Sequence, residues 1–235
     1  MNIKNNSGCL ITYGDDMVEK IAPKSYPKNR IKKQANKQIQ FNEFNMIGNV
    51  YSPRVLSVTD QSFSMEFVNG LDIVEFLEYS DKNSIDRIVE KIKSILVQYD
   101  RLSENAVVND IISDKLKHIE KYLKPYEKSF IDMHLKEDIL IPVGICHGDM
   151  TLTNMIFKDD EIFLLDFLDS FIETPLIDMA KIRQDTRFGW CRLCYTKKFD
   201  ANKNMITMKY IDKIFNSFFE NFSYYIKYYR LFQVL

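Results

Sequence analysis

Residues 146–170 read CHGDMTLTNMIFKDDEIFLLDFLDS, and this stretch decides the predicted fold. Two short apolar runs, NMIFK and IFLLDF, flank the turn residues DDE, a pattern typical of a β-hairpin. Because a hairpin brings its two ends together, we expect Asn154, at the start of the first strand, to lie beside Asp166, at the end of the second. An amide oxygen and a carboxylate are hard ligands that suit Mg²⁺. Asp149 lies just before this pair and can accept a proton from a hydroxyl group.

These three polar residues also have a purely structural explanation. Asp149 and Asn154 could cap a loop, and Asp166 could be a turn residue at a strand end. Each residue alone fits that explanation, but their order, their spacing and the intervening hairpin together favour a catalytic site. The set meets the needs of phosphoryl transfer, which depends on positioning a nucleophile and neutralising phosphate charge with a metal ion.

The same stretch resembles a known family. HGDMTLTN is similar to the HGDxxxxN motif of aminoglycoside phosphotransferases, choline kinases and related small-molecule kinases, LLDFLDS to their IDF segment, and TPLIDMAKI to their GDPxxDLA segment. The resemblance implies that Asp149 is the catalytic base and that Asn154 and Asp166 bind Mg²⁺. It also implies that Asp178 braces the catalytic loop by hydrogen bonds.

His147 lies two residues before the predicted base. A histidine in that place could itself exchange protons. The resemblance instead implies that His147 orients the catalytic loop, and we assign it to the catalytic set in that role.

The N-terminal part supplies candidates for nucleotide binding. Lys20 in MVEKIA resembles the strand lysine of kinases, which holds the α- and β-phosphates of the nucleotide, although a lone strand lysine can also be simple surface charge. SMEFVNG resembles the family's hinge, whose backbone from Glu66 to Val68 would hydrogen-bond adenine. The loop before this lysine is poor in glycine, and Ser7 and Gly8 are its candidate phosphate-contacting residues.

The usual partner of the strand lysine, a glutamate on the following helix, is missing. Glu43 is the only glutamate there, and helical phase places it about 160° from Phe41, on the wrong face. Gln34 and Gln38 lie on the apolar face, where a glutamine would replace the ion pair by a weaker hydrogen bond. We predict Gln38 as the partner of Lys20.

The order of elements predicts an α+β, two-lobed protein-kinase-like fold. Residues 1–69 are expected to form a small nucleotide-binding lobe, an antiparallel sheet with one helix from Arg30 to about Gly48. Residues 70–235 are expected to form a larger, mainly helical lobe that carries the catalytic residues and binds the acceptor. The aromatic tail stops at Leu235 in full helical pattern, which predicts that the native chain continues.

Composition excludes several classes of protein. Acidic and basic residues nearly cancel, 33 against 32, so net charge indicates no nucleic-acid or membrane partner. We find no signal peptide and no apolar run long enough to span a membrane, and we predict a cytoplasmic protein. The lone CxxC at 191–194 lacks the other half of a zinc site, which favours partly buried thiols.

The acceptor is less defined by the sequence. KIRQDTRFGW (181–190) offers Arg183 or Arg187 to a carboxylate or phosphate; the alternative is a charged surface helix with Trp190 packed beneath it. No strongly acidic patch for an aminoglycoside is visible, and no aromatic residue is placed in a choline cage. These features favour a sugar or similar anionic metabolite.

Three functions fit these observations to different degrees. The leading prediction is a small-molecule kinase that uses Mg²⁺ and ATP or GTP. A nucleotide-binding pseudokinase or scaffold is the alternative, because the helix glutamate is missing. A protein kinase is disfavoured, because DFLDSFIETPLID leaves only about eight residues for an activation segment.

Overall fold

The N-terminal lobe is a five-stranded antiparallel sheet covered by one long helix. The computed structural model describes residues 2–4, 8–27 and 29–235, so Ser7 of the predicted phosphate loop lies outside the described residues. The elements of this part are β1 (Asn2–Lys4), β2 (Leu10–Tyr13), β3 (Met17–Ile21), α1 (Arg30–Phe44), β4 (Val50–Tyr51), β5 (Val55–Val58) and β6 (Ser62–Glu66). The strand order in the sheet is β1-β2-β3-β6-β5.

A small apolar cluster joins this sheet to α1. It consists of Val18, Ile31, Ala35, Phe63 and Met65. Because side chains two residues apart share one face of a strand, Lys20 follows Val18 onto the covered face of β3 and is only 4% exposed. The alternation of β3 therefore buries a lysine between the sheet and the helix.

Helix α1 is shorter than predicted. It ends at Phe44, where Asn45 adopts an extended backbone with ψ 123°, and not near Gly48. The Asn45 amide donates hydrogen bonds to the carbonyls of Ile47 (3.1 Å) and Val50 (2.7 Å). A side chain that binds backbone carbonyls in a turn competes with helical continuation, which explains the early end.

The C-terminal lobe is mainly helical, and the predicted α+β two-lobed fold is confirmed. Its elements are α2 (Ile73–Tyr79), α3 (Lys82–Arg101), β7 (Glu104–Val107), α4 (Asn109–Ile119), α5 (Pro125–His134), β8 (Leu140–Val143), β9 (Met155–Lys158), β10 (Glu161–Leu164), α6 (Pro175–Thr186), α7 (Trp190–Cys194), α8 (Ala201–Phe219) and α9 (Ser223–Val234). The predicted hairpin is β9–β10, in which Met155 pairs with Leu164.

The chain segment between the lobes is tied to this hairpin. Leu71 and Phe157 exchange two backbone hydrogen bonds of 2.8 Å each. Gly70 makes this approach possible, because a Cβ atom there would lie 2.6 Å from Cγ2 of Ile156 and 2.7 Å from the carbonyl of Phe157. Strand β4, which precedes residue 70, also pairs with β10 in parallel. The hairpin is thus attached to the N-terminal part of the chain at two places.

The core of the larger lobe is built on α3 and α6, with α8 and α9 packed against them. The aromatic tail contributes Phe215, Phe219, Tyr225 and Tyr228, all less than 5% exposed. These aromatic residues of the tail therefore pack on the core. Across the described part of the chain, no helix combines the length and apolar character that a membrane crossing requires.

Candidate active site

A cleft of about 570 Å³ collects most of the residues selected from the sequence. Its walls include side chains from both lobes: Lys20, Gln34, Asp149, Asn154, Asp166, Lys181 and Trp190. Lys20 and Gln34 come from β3 and α1, whereas the others come from the loop before β9, the end of β10 and the region of α6. The predicted base, the predicted metal ligands and the predicted phosphate-binding lysine therefore face one space.

The β9–β10 hairpin brings Asn154 and Asp166 together. The carbonyl of Asn154 accepts a hydrogen bond of 2.8 Å from the backbone N–H of Leu165, the neighbour of Asp166. Asp166 itself has φ 58°, in the left-handed region. This conformation costs an L-residue roughly 1 kcal/mol and turns the chain sharply as it leaves β10. Two residues after this turn, Leu168 lines the cleft.

Asp149 is held between an amide and an ammonium group. The Nδ2 atom of Asn154 donates to the Asp149 carbonyl (2.8 Å) and to its Oδ2 atom (3.0 Å). On the other side, Nζ of Lys181 forms an ion pair of 3.0 Å with Oδ1. The sequence analysis noticed Lys181 only as one charge of a charged helix, and the contact with Asp149 was missed because it spans 32 residues of chain.

The donor set around the hairpin fits a magnesium ion. Both contacts of the Asn154 Nδ2 atom go to Asp149, so the amide oxygen Oδ1 is left for another partner. Asp166 adds a carboxylate to the same cleft. Magnesium prefers carboxylate and amide oxygens and keeps several water ligands, so two protein ligands are a sufficient set.

His147 supports the loop from below and does not line the cleft. It is fully buried, with Nε2 2.7 Å from the carbonyl of Leu165 and Nδ1 accepting from the N–H of Asp149 at 3.2 Å. These contacts require the neutral ring with its proton on Nε2. Burial, together with the charge of Lys37, lowers the pKa of His147 to about 3. The ring is therefore a bridge between two backbone segments and stays uncharged.

Asp178 lies in the first turn of α6 and binds the backbone of the catalytic loop. Its two oxygens accept from the N–H groups of His147 (2.6 Å) and Gly148 (2.8 Å). The bracing hydrogen bonds implied by the family resemblance are present. Full burial raises the pKa of Asp178 to about 7, and the two backbone N–H donors act in the opposite direction.

Position 148 requires glycine for two reasons, its backbone conformation and the lack of space for a Cβ atom. Its φ is +88°, and a Cβ atom would lie 2.2 Å from Oγ of Ser170 and 2.8 Å from the carbonyl of Leu168. The loop therefore passes the 168–170 segment closer than any residue with a side chain permits.

A second buried aspartate, Asp185, was not recognised as part of the site. It accepts hydrogen bonds from the N–H groups of Leu152 (2.5 Å) and Cys191 (2.8 Å). Burial raises its pKa to about 6. The sequence feature that could have identified Asp185 is its spacing of seven residues from Asp178. Seven residues are about two helical turns, so both carboxylates lie on the face of α6 towards the loop.

The partner of Lys20 is Gln34, and the predicted partner Gln38 is wrong. Nζ of Lys20 donates to Oε1 of Gln34 at 3.0 Å and to Oδ1 of Asp166 at 3.0 Å. Gln38 is also buried, but its amide donates to the carbonyl of Pro53 at 2.6 Å. The two glutamines share one face of α1, and they lie one turn, about 6 Å, apart. Lys20 lies opposite the helical turn that carries Gln34. Glu43 is exposed, as its helical phase predicted.

The predicted hinge follows the end of β6. The N–H group of Glu66 donates to the carbonyl of Arg54 (3.0 Å), and its side chain accepts from the N–H of Arg54 (3.0 Å). The backbone N–H of Glu66 is therefore already bound to the residue just before β5. Phe67 donates its N–H to Asp16 at 2.9 Å. The Val68 backbone has no hydrogen-bond partner among the residues that the structure describes.

The two arginines suggested for anion binding do not line the cleft. Arg183 is 1% exposed and forms an ion pair of 2.9 Å with Asp212. Its guanidinium also donates to the Tyr225 hydroxyl at 3.3 Å. The predicted anion-binding role is wrong for Arg183, because its guanidinium group is already bound by side chains of α8 and α9. Trp190 is 37% exposed and lines the cleft, so it is not packed beneath the helix.

Comparisons with known proteins identify the family to which the chain belongs. The sequence model described as the phosphotransferase enzyme family matches residues 5–202. No match was found among curated protein sequences. The chain therefore belongs to the phosphotransferase enzyme family, and it is a phosphotransferase with a protein-kinase-like fold.

Several solved structures share this fold. A streptomycin–ATP complex of the aminoglycoside phosphotransferase APH(2'')-IIa is 16% identical, with a TM-score of 0.56, covering 94% of this chain and 81% of its own. A complex of aminoglycoside phosphotransferase APH(4)-Ia with AMP-PNP and hygromycin B is 9% identical, with a TM-score of 0.59 and coverages of 100% and 82%. A choline/ethanolamine kinase family protein from Mesorhizobium loti is 13% identical, with a TM-score of 0.53 and coverages of 99% and 83%. At these identities the likeness concerns the fold.

Proposed function

We propose that this chain is a small-molecule kinase, which transfers the γ-phosphate of ATP or GTP to a hydroxyl group of a small metabolite. The observation that supports this most strongly is the shared cleft of Lys20, Asp149, Asn154 and Asp166. Two lobes supply these residues, as a nucleotide held between lobes requires. In this proposal residues 1–69 bind the nucleotide and residues 70–235 bind the acceptor.

Asp149 serves as the base in this proposal. The acceptor oxygen forms a bond to the γ-phosphorus while the bond from phosphorus to the nucleotide diphosphate breaks, and the hydroxyl proton passes to Asp149. Asn154 keeps the carboxylate oriented through its amide hydrogen bonds. Lys20 contacts the phosphates of the nucleotide, after exchanging its present contact with Asp166 for them.

Asn154 and Asp166 are the residues that would hold Mg²⁺. When bound, the ion would neutralise charge on the β- and γ-phosphates. The protein's own part is to fix these two side chains beside each other, which the hairpin register and the left-handed backbone of Asp166 accomplish. Solved relatives that include complexes with ATP and with AMP-PNP support a nucleotide co-substrate.

Replacing Asp149 by Asn tests the proposed base. We expect a loss of transfer of roughly 10²- to 10⁴-fold, the usual contribution of a positioned general base. Binding of Mg-ATP, followed by calorimetry, should change little. Asp159→Asn is the matched control, because Asp159 is exposed at the hairpin turn with φ 51°, a conformation that asparagine also adopts. Transfer that survives Asp149→Asn contradicts the assignment.

A nucleotide-binding scaffold without turnover is the second candidate. It is favoured by the neutral partner of Lys20 and by the ion pair of Asp149 with Lys181, which places a positive charge against the predicted base. A thermal-shift measurement with Mg-ATP combined with a turnover assay separates the two. Binding without turnover over a broad panel of hydroxylated acceptors selects the scaffold, and turnover selects the kinase.

A further inference from the structure

A second cavity, larger than the cleft, opens beside Asp149. Its volume is about 1090 Å³, and it shares a wall with the cleft, formed by Arg30, Leu168, Gln184, Lys181 and Trp190. We call it the acceptor cavity. Gly148, next to the predicted base, lines it as well. The cavity therefore reaches the neighbour of Asp149 in the chain, Gly148, and its ion-pair partner, Lys181.

The charged side chains that line the acceptor cavity are mostly cationic. Arg30, Lys115 and Lys181 lie on its wall, with His118 at the rim. Among the described residues that line it, Asp169 is the one carboxylate side chain, and it is paired with Lys33 at 3.3 Å. Since Asp169 is paired with Lys33 and Lys181 with Asp149, the positive charge of the wall that no carboxylate of the described residues balances lies on Arg30 and Lys115.

Lys115 is the clearest member of this group. Its ammonium lies 5.2 Å from the ring centre of Phe171, which is also a wall residue, and it has no carboxylate within 4 Å among the residues that the structure describes. An aromatic ring holds an ammonium in place without neutralising it. Lys115 is therefore positioned over the cavity with its charge available to a ligand.

Lys181 connects the cavity to the reacting centre. It lines both spaces and lies 3.0 Å from Asp149. An ammonium group has three N–H donors and needs only one for Asp149. The remaining donors can face a second anion on the cavity side.

We propose that the acceptor is a small hydroxylated molecule that carries a negatively charged group, a carboxylate or a phosphate, which binds in the acceptor cavity against Lys115 and Lys181. This inference rests on the proposed kinase function. It excludes polycationic acceptors, because each ammonium group would meet the unbalanced positive charge of the wall. The aromatic side chains of Phe171, Phe188 and Trp190 offer apolar contact to the carbon skeleton of such a molecule.

Binding of four probes with one carbon skeleton tests the charge preference. Glucuronate, glucose 6-phosphate, glucose and glucosamine share the pyranose ring and carry a carboxylate, a phosphate, no charge and an ammonium group. Calorimetry is carried out with the full chain saturated with Mg-ADP, so that the nucleotide site does not take up the anions. We expect at least one anionic probe to bind about fivefold or more tighter than glucose, and glucosamine to bind more weakly than glucose. Equal binding of all four, or preference for glucosamine, overturns the proposal, and the two anionic probes tell carboxylate from phosphate.

A lysine substitution locates the site. Lys115→Gln should weaken binding of the preferred anionic probe about fivefold and leave glucose unchanged. Lys117→Gln is the control, because Lys117 is on the same helix but is exposed and paired with Asp114 at 2.7 Å. Equal effects of the two substitutions overturn the assignment to this cavity.

The outcomes for the two proposals differ. Phosphate transfer to neutral or cationic acceptors, with no preference for anionic ones, keeps the kinase and overturns the anionic acceptor. Anion binding that Lys115→Gln weakens, without transfer to any acceptor, overturns the kinase and keeps the anion specificity of the cavity.

Discussion

The two glutamines of α1 provide a matched test of how Lys20 is held. Both are buried, with exposures of 2% and 1%, and both use their amides in hydrogen bonds. Gln34 accepts from Lys20 at 3.0 Å and donates to the Tyr26 hydroxyl at 3.1 Å, whereas Gln38 donates to the Pro53 carbonyl at 2.6 Å. Changing each glutamine to alanine removes the same side chain at two buried positions one helical turn apart. The two variants therefore match in the size and the location of the change and differ in the contacts that are lost.

Gln34→Ala should weaken nucleotide binding. A hydrogen bond to a charged group contributes about 1.5–3 kcal/mol, so its loss corresponds to a rise in the Kd for Mg-ATP of roughly 10- to 100-fold if Lys20 depends on it for position. Without Gln34, Asp166 remains as the partner of Lys20 at 3.0 Å, which draws the lysine away from the phosphates.

Gln38→Ala should act on stability alone. It leaves the Pro53 carbonyl without its donor, which costs about 1–3 kcal/mol of the free energy of unfolding, and we expect a Kd for Mg-ATP within twofold of the unchanged protein. Calorimetry with Mg-ATP and denaturant unfolding of both variants check these values. The reasoning fails if the two substitutions weaken nucleotide binding equally, or if Gln38→Ala weakens it more.

Three further predictions concern the groups that support the catalytic loop. Gly148→Ala should lower the free energy of unfolding by well over the roughly 1 kcal/mol that a left-handed backbone costs. Adding Ser170→Gly should restore only part of this loss, because the Leu168 carbonyl remains 2.8 Å from the new Cβ atom. Denaturant unfolding of the single and the double variant checks both values. Asp178, with its pKa raised to about 7, keeps its proton in the folded state while the unfolded chain loses it, so its contribution to stability falls as pH rises from about 4 to about 7, by roughly 4 kcal/mol in total. His147, with its pKa lowered to about 3, acts in the opposite direction, because the unfolded chain takes up its proton below pH 6.5 and acidification destabilises the fold. Asp178→Asn should therefore leave a protein whose unfolding free energy drops more steeply between pH 6.5 and pH 4 than that of the unchanged chain, and an identical slope in both would contradict this. Asp185→Ala should cost about 1–3 kcal/mol by leaving the N–H groups of Leu152, Thr153 and Cys191 without their acceptor. Alanine at the exposed Asp132 should change the unfolding free energy by less than about 0.5 kcal/mol.

The local parts of the site were accessible from the sequence. The β9–β10 hairpin has strong turn residues between two apolar runs, so the meeting of Asn154 with the end of the second strand followed from strand geometry alone. Strands β4 and β7 were not predicted, because the two residues of β4 are too few to show a pattern and the residues ENAV of β7 do not form an apolar run.

The contacts that depend on distant elements were not accessible. Helical phase put Gln34 and Gln38 on one face of α1, but which turn faces Lys20 depends on how far the helix slides along the sheet. Arg183 looked free because its partners Asp212 and Tyr225 lie 29 and 42 residues further on. The pairing of Lys181 with Asp149 likewise needs the packing of α6 beneath the loop.

The double attachment of the β9–β10 hairpin constrains how the lobes can move. Leu71 is pinned to Phe157, and Val50 and Tyr51 are pinned to Ile162 and Phe163 on the neighbouring strand. A body fastened at two points can rotate only about the line that joins them. We therefore expect Asn154 and Asp166 to keep their places at the end of this hairpin if the cleft opens, and β2, β3 and the start of α1, with Lys20, to be the parts that move.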